Sequence, residues 1–107
     1  MENYSVAISY KNDLGYIEYD SEKKSAEVTL ANDEGKQATE NFLSETHDIE
    51  VPHKTLLDFT VEKIDPLESV KSFQLALTRL WEATGVHVDW SRPVDYVKTH
   101  PFYDTDD

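Results

Sequence analysis

The chain has 107 residues, the length of a single domain, and carries 22 acidic side chains against 10 basic ones, a formal net charge of −12. That balance argues against direct nucleic-acid binding, which needs clustered Lys and Arg to displace counterions, and against an anionic membrane surface. Cysteine is absent, so disulfides, thiolate zinc sites, iron–sulfur clusters and thiol nucleophiles are excluded together.

Residues 4–30 alternate with period two, the pattern of half-buried strands. Tyr4, Val6, Ile8 and Tyr10 share one face, with Ser5, Ala7 and Ser9 on the other. Asn12-Asp13-Leu14-Gly15 supplies turn chemistry, and Ile17 and Tyr19 then alternate with Tyr16 and Glu18 to complete a hairpin. Past the polar stretch from Asp20 to Ser25, Ala26, Val28 and Leu30 face inward while Glu27 and Thr29 face water, which gives a three-stranded meander. Tyr4, Tyr10, Tyr16 and Tyr19 make good cross-strand pairs. With helices on one face only, the opposite face, carrying Tyr16, is an exposed aromatic surface.

Asn32 or Asp33 caps a short helix running to Glu45, with Ala38 and Phe42 one turn apart on its buried side. Ile49-Glu50-Val51 is a short strand ended by Pro52, and Leu57, Phe59 and Val61 alternate with Asp58, Thr60 and Glu62 in a longer one. Asp65-Pro66-Leu67-Glu68 combines an N-cap, a proline at the first helical position and a glutamate at N3. It predicts one long helix from Pro66 to Thr84, burying Val70, Phe73, Leu77, Leu80 and Trp81 and closed by a left-handed Gly85. Val86, Val88 and Trp90 alternate with His87 and Asp89 in a final strand.

Residues 1–90 read as one domain, followed by an irregular acidic C-terminal arm over 91–107. An offset of 31 or 32 residues relates Ile17-Glu18-Tyr19, Val28-Thr29-Leu30 and the helix of Phe42 to Ile49-Glu50-Val51, Phe59-Thr60-Val61 and the helix of Phe73, a ββα pseudo-repeat. The expected fold class is therefore α+β: a two-layer sandwich of one antiparallel sheet of five or six strands with two helices on one face, in the order β-β-β-α-β-β-α-β.

His47, His53, His87 and His100 are scattered, without the helical spacing of a ligand set, and no metal or other cofactor is expected. Asp48, Glu50, Asp58 and Glu62 supply carboxylates, but in so acidic a chain nothing selects a catalytic pair. There is no Gly-x-Ser-x-Gly elbow, and Gly15, Gly35 and Gly85 stand alone, so no catalytic residue is assigned and no phosphate-cradling loop is present. The segment from Val86 to Tyr96 concentrates an aromatic, an arginine and two aspartates after the long helix. Its candidate binding residues are His87, Asp89, Trp90, Arg92, Asp95 and Tyr96. His87 and Asp89 project the same way on a strand, Trp90 and Arg92 are interface-favoured types, and Arg92 is expected to bridge to Asp89 or Asp95 and pin the arm.

No apolar run approaches the roughly 20 residues of a membrane span, and the start Met1-Glu2-Asn3-Tyr4 lacks a secretion-signal pattern. A cytoplasmic location follows as the expectation. The function expected is that of a small, acidic, non-enzymatic protein, for which a homodimer is one arrangement considered. It binds another, basic protein through a sheet face, an edge strand or the C-terminal arm. One variant is an inhibitor covering the basic surface of a nucleic-acid-binding protein. The alternative is a small-ligand-binding or metal-assisted enzyme with its site near residues 86–96.

Overall fold

The first three strands pair as the alternation requires. A computed structural model describes residues 3–52 and 59–99 of the chain. β1 (Asn3–Tyr10), β2 (Asp13–Asp20) and β3 (Ser25–Leu30) form an antiparallel meander, and β6 (His87–Asp89) joins the free side of β1, giving the order β3-β2-β1-β6. The register sets Tyr4 opposite Tyr19 and Val6 opposite Ile17, so their rings and branched chains lie on one face. The β1–β2 turn is tighter than the sequence suggests: Lys11 and Asn12 alone make it, with Lys11 at φ 49°, the positive φ that two-residue hairpins demand. Gly15 is therefore a strand residue. A Cβ there would stand 2.1 Å from the Thr29 carbonyl oxygen, so the glycine is required by the close approach of β3 rather than by a turn.

α1 (Asp33–Leu43) starts where the sequence places it, with the Asn32 side chain accepting from the Gly35 amide at 3.0 Å. The long helix does not form as one piece. α2 (Val70–Leu77) is capped by Ser69, whose hydroxyl accepts from the Ser72 amide at 3.1 Å, and α3 (Leu80–Thr84) follows after a break at Thr78 and Arg79. Hydrogen bonds at both ends of α2 explain this. Asp65–Glu68 closes as a separate turn, Asp65 Oδ1 accepting from the Leu67 amide at 3.0 Å, while the Leu67 carbonyl accepts from the Tyr19 hydroxyl at 2.8 Å instead of from a helical amide. At the other end the Thr78 and Arg79 amides donate three residues back, to Leu75 and Ala76 at 3.2 and 2.9 Å. Such tightening advances each residue by about 20° more than an α-helix does. Leu80 consequently stays in the core, fully buried, and Trp81 turns out to solvent at 57% exposure, against the expectation that it is buried. Gly85 closes α3 at φ 83° with its amide on the Trp81 carbonyl, as the sequence indicates.

The fold is α+β with an antiparallel sheet, but the six strands divide into two sheets and the helices number four among the described residues. β4 (His47–Pro52) and β5 (Phe59–Ile64) make a separate two-stranded ribbon. Among the described residues the largest sheet has four strands instead of the expected five or six, and the two expected ββα halves contribute to separate sheets. Thr60, Val61, Glu62 and Lys63 of β5 are all exposed, a strand too polar to serve as the interior of a sheet. Leu57, Asp58 and His53 lie outside the described residues, as does everything from His100 onward.

The main core lies between the front of the four-stranded sheet, the ribbon and the first three helices. Phe73, fully buried, stacks on Tyr19 at 4.9 Å and meets the edge of Tyr4 at 5.9 Å, with Ile8, Ile17, Phe42, Ile49, Leu77 and Leu80 around it. The back of the sheet is covered as well. Where an irregular arm is expected, Val94–Thr99 form a helix, α4, whose buried Val97 packs on Ala7, Leu14 and the half-buried Tyr16. Lys98 lies 5.3 Å over the Tyr16 ring and 3.4 Å from Glu18. The back face is thus not the exposed aromatic surface that a one-sided helix layer implies.

Candidate functional site

β6 is held by three register positions, Ala7 opposite Asp89, Ile8 opposite Val88 and Ser9 opposite His87. His87 and Asp89 therefore share the back face, as their spacing requires, yet they do not converge on a common ligand. The exposed His87 ring faces Trp81, with centroids 5.7 Å apart, and lines a groove with Ser9, Tyr10, Lys11, Asn12 and Gly85. Asp89 points into the start of the arm. Its Oδ1 accepts from the Ser91 amide at 3.2 Å, the Ser91 hydroxyl at 3.0 Å and the Arg92 amide at 3.2 Å, while Oδ2 lies 3.2 Å from Arg92 Nε. Arg92 in turn sits 5.9 Å over the Tyr96 ring. Trp90, 52% exposed, and Asp95, exposed in the first turn of α4, stand outside this knot.

The electrostatics agree with a joint rather than a reactive centre. Partial burial pushes the Asp89 carboxyl upward, but the hydrogen bonds from Ser91, the Arg92 guanidinium and the Arg92 amide outweigh it, and the group is held below its ordinary value of 3.8. The expected Arg92–Asp89 bridge is present, and its work is to fix the entry into α4. Among the described residues no three His, Asp or Glu side chains gather as a metal would need. His47 stacks on Phe42 at 4.0 Å and donates from Nε2 to the Phe42 carbonyl at 2.7 Å, which occupies it as part of the core wall.

A second surface lies on the other side of α3. Arg79, which precedes α3, and Glu82 and Ala83 of α3 face Asp48 and Glu50 of β4 and Val61 of β5 across a groove of about 590 Å³, walled at its end by Phe42 and His47. The strand register explains its chemistry. Val61 is opposite Glu50 and Lys63 opposite Asp48, so these four project from one side of the ribbon, while Ile49 and Ile64 bury the other. Two of the groove's carboxylates are paired, Asp48 with Lys63 and Glu82 with Arg79, each at 3.3 Å. Val61 is 66% exposed, a large apolar side chain among carboxylates. α3 is the ridge between the two surfaces, with Trp81 on one flank and Glu82 and Ala83 on the other.

Comparison with models of known protein families, with curated proteins and with solved structures finds no match to this chain. In the sequence Asp48 and Glu50 stand out only as acidic background, and Val61 and Trp81 fall among the alternating and helical core positions. The one local signal against that placement is Thr78, a β-branched residue whose hydroxyl donates to the Leu75 carbonyl at 2.6 Å where the helix gives way.

Proposed function

We propose that the chain is a non-enzymatic binding protein of the cytoplasm whose partner is a basic protein seated over α3. The observation that carries this reading is Trp81, more than half exposed on a ridge whose other flank opens into the carboxylate-lined groove with Val61. An exposed tryptophan is the side chain that most often anchors an interface, and surrounding carboxylates steer and select a cationic partner. The other surfaces named by the sequence support the reading less. α4 covers the back of the sheet, and Asp89 and Arg92 are engaged with each other, which also weakens the case for a ligand-binding or metal-assisted site near residues 86–96. Nucleic acid and a second copy of the chain both meet the repulsion of a net charge of −12.

The test compares three proteins as baits for the source cell's lysate. Glu50→Lys with Glu82→Lys reverses the groove; Glu27→Lys with Glu40→Lys gives the same net charge change at exposed positions on β3 and α1. Trp81→Ala removes the ridge. A basic protein held by the wild type and by the Glu27/Glu40 variant, but lost from the other two, supports the reading. Equal loss from both charge variants reduces it to unspecific attraction and overturns it.

A further inference from the structure

We infer that β5 takes up an extended segment of a basic protein as a third strand of the ribbon, with a lysine or arginine opposite Glu62 and a β-branched residue opposite Val61. This rests on the basic-partner reading above and adds how the partner is held. Three observations converge on that edge.

The first is backbone. β5 pairs with β4 through Phe59–Ile64, and no other described strand lies on its outer side. Alternate amides and carbonyls of the strand are therefore presented outward, the template for main-chain recognition of an added strand. A two-stranded ribbon is also the smallest of sheets, marginal without support, and a third strand completes it.

The second is the exposure of the side chains. On β4, Ile49 is buried and His47 is tucked against Phe42, so that strand is committed to the core. On β5 the side chains of Thr60, Val61, Glu62 and Lys63 are all exposed. A neighbour on this edge would meet Val61 on the groove side and Thr60 and Glu62 on the other, because successive residues alternate across the strand.

The third is charge. Lys63, the only cation of β5, is engaged by Asp48, while Glu62 meets no cation among the described residues; it accepts a hydrogen bond from the Thr60 hydroxyl at 3.3 Å. Glu50 and Glu82 stand in the adjoining groove. An incoming strand whose residues alternate between apolar and cationic matches this edge position by position, apolar beside Val61 and cationic beside Glu62. A second copy of this chain would bring a strongly acidic protein to an acidic edge, which is why the occupant is a basic protein.

The test is a titration of the isotope-labelled full chain, followed by amide chemical shifts, with a seven-residue peptide alternating valine and lysine. Shifts concentrated in residues 60–64 and their β4 partners support the inference. So does loss of binding when alternate peptide amides are N-methylated on the edge facing β5, since methylation removes main-chain donors and leaves charge intact. Glu62→Lys should weaken binding about fivefold, the scale of one cross-strand charge pair; the residue is exposed, so the variant folds. Equal binding by the methylated peptide overturns strand addition. Shifts that fall only around Trp81 and His87 also overturn it, while leaving the basic-partner reading in place; the absence of shifts anywhere, with no basic protein held by the bait, defeats both.

Discussion

Replacing Asp89 separates the joint of α4 from the rest of the fold. The carboxylate accepts from two backbone amides and one hydroxyl and faces the Arg92 guanidinium. Loss of a turn-capping acceptor costs about 1 kcal/mol, and a half-exposed ion pair adds up to about 1 kcal/mol, so Asp89→Ala should weaken the joint by about 2 kcal/mol. Asp89→Asn keeps an acceptor oxygen and loses only the charge, and should cost about half as much. Because the folded-state pKa lies below the ordinary 3.8, this contribution is complete above the unfolded carboxylate's range and vanishes as pH falls through the folded value. The assay is amide exchange resolved by residue. Val94–Thr99 in Asp89→Ala should exchange about 30-fold faster, the equivalent of 2 kcal/mol, with Tyr16 and Leu14 following and Phe73 unchanged. Unaltered protection over Val94–Thr99, or an asparagine variant as weak as the alanine one, would show that the carboxylate does not hold the helix by its hydrogen bonds.

Phe73→Ala empties the centre of the tyrosine cluster and should cost about 3–5 kcal/mol in urea unfolding; a loss under about 1 kcal/mol would mean the stacking on Tyr19 is not packed as described. Gly15→Ala should be as damaging, about 3 kcal/mol, because the new Cβ meets backbone rather than a movable side chain; a variant with wild-type stability would refute the close approach of β3. Trp81→Ala, by contrast, should change stability by less than about 1 kcal/mol, and wild-type fluorescence should be that of water-exposed indoles, since Trp81 and Trp90 are both more than half exposed. Added sodium chloride should raise the melting temperature, because screening relieves the repulsion of unpaired acids more than it weakens the exposed pairs; a fall would show the pairs dominate.

The meander was legible because its residues alternate and because one face of it is buried, so that register and face are specified together. The cap at Asn32 and the stop at Gly85 were legible for the same kind of reason: each is a local hydrogen-bond or φ requirement met by one residue type. The long helix was misread because Asp65-Pro66-Leu67-Glu68 satisfies a helix start and a free-standing turn equally well, and the choice was made by Tyr19, 48 positions earlier in the chain than Leu67. The second interruption, at Thr78 and Arg79, turns Trp81 out of the core position that unbroken periodicity gives it, since helical periodicity holds only while the helix is continuous. Within the candidate segment, an ion pair of Arg92 with a neighbouring aspartate is readable from the carboxylates that flank it, but Asp89 and Asp95 are equally spaced from it and the choice of Asp89 is not. What could not be read is that the same carboxylate also receives the Ser91 and Arg92 amides, which makes the segment a joint.

Charge links the fold to the reading of its function. Six of the basic residues form ion pairs in the described structure, and four of these tie separate elements or the segments beside them: Lys11 to Glu34, Lys24 to Glu68, Lys63 to Asp48 and Lys98 to Glu18. Each is exposed and worth about 1 kcal/mol at most, but together they place cations where chain segments must approach one another. The ribbon's edge and the groove beneath α3 keep carboxylates that no cation of the described residues neutralises, Glu50 and Glu62 among them. A native state with surplus negative charge in one region is stabilised by whatever brings positive charge there, because a ligand that binds only the folded form adds its binding free energy to stability. Salt does this weakly and everywhere. A basic strand laid along β5, as proposed, would do it at an edge where backbone donors, an exposed valine and a glutamate unbridged among the described residues coincide, so the same charge distribution that burdens the isolated fold would give the proposed partner its selectivity.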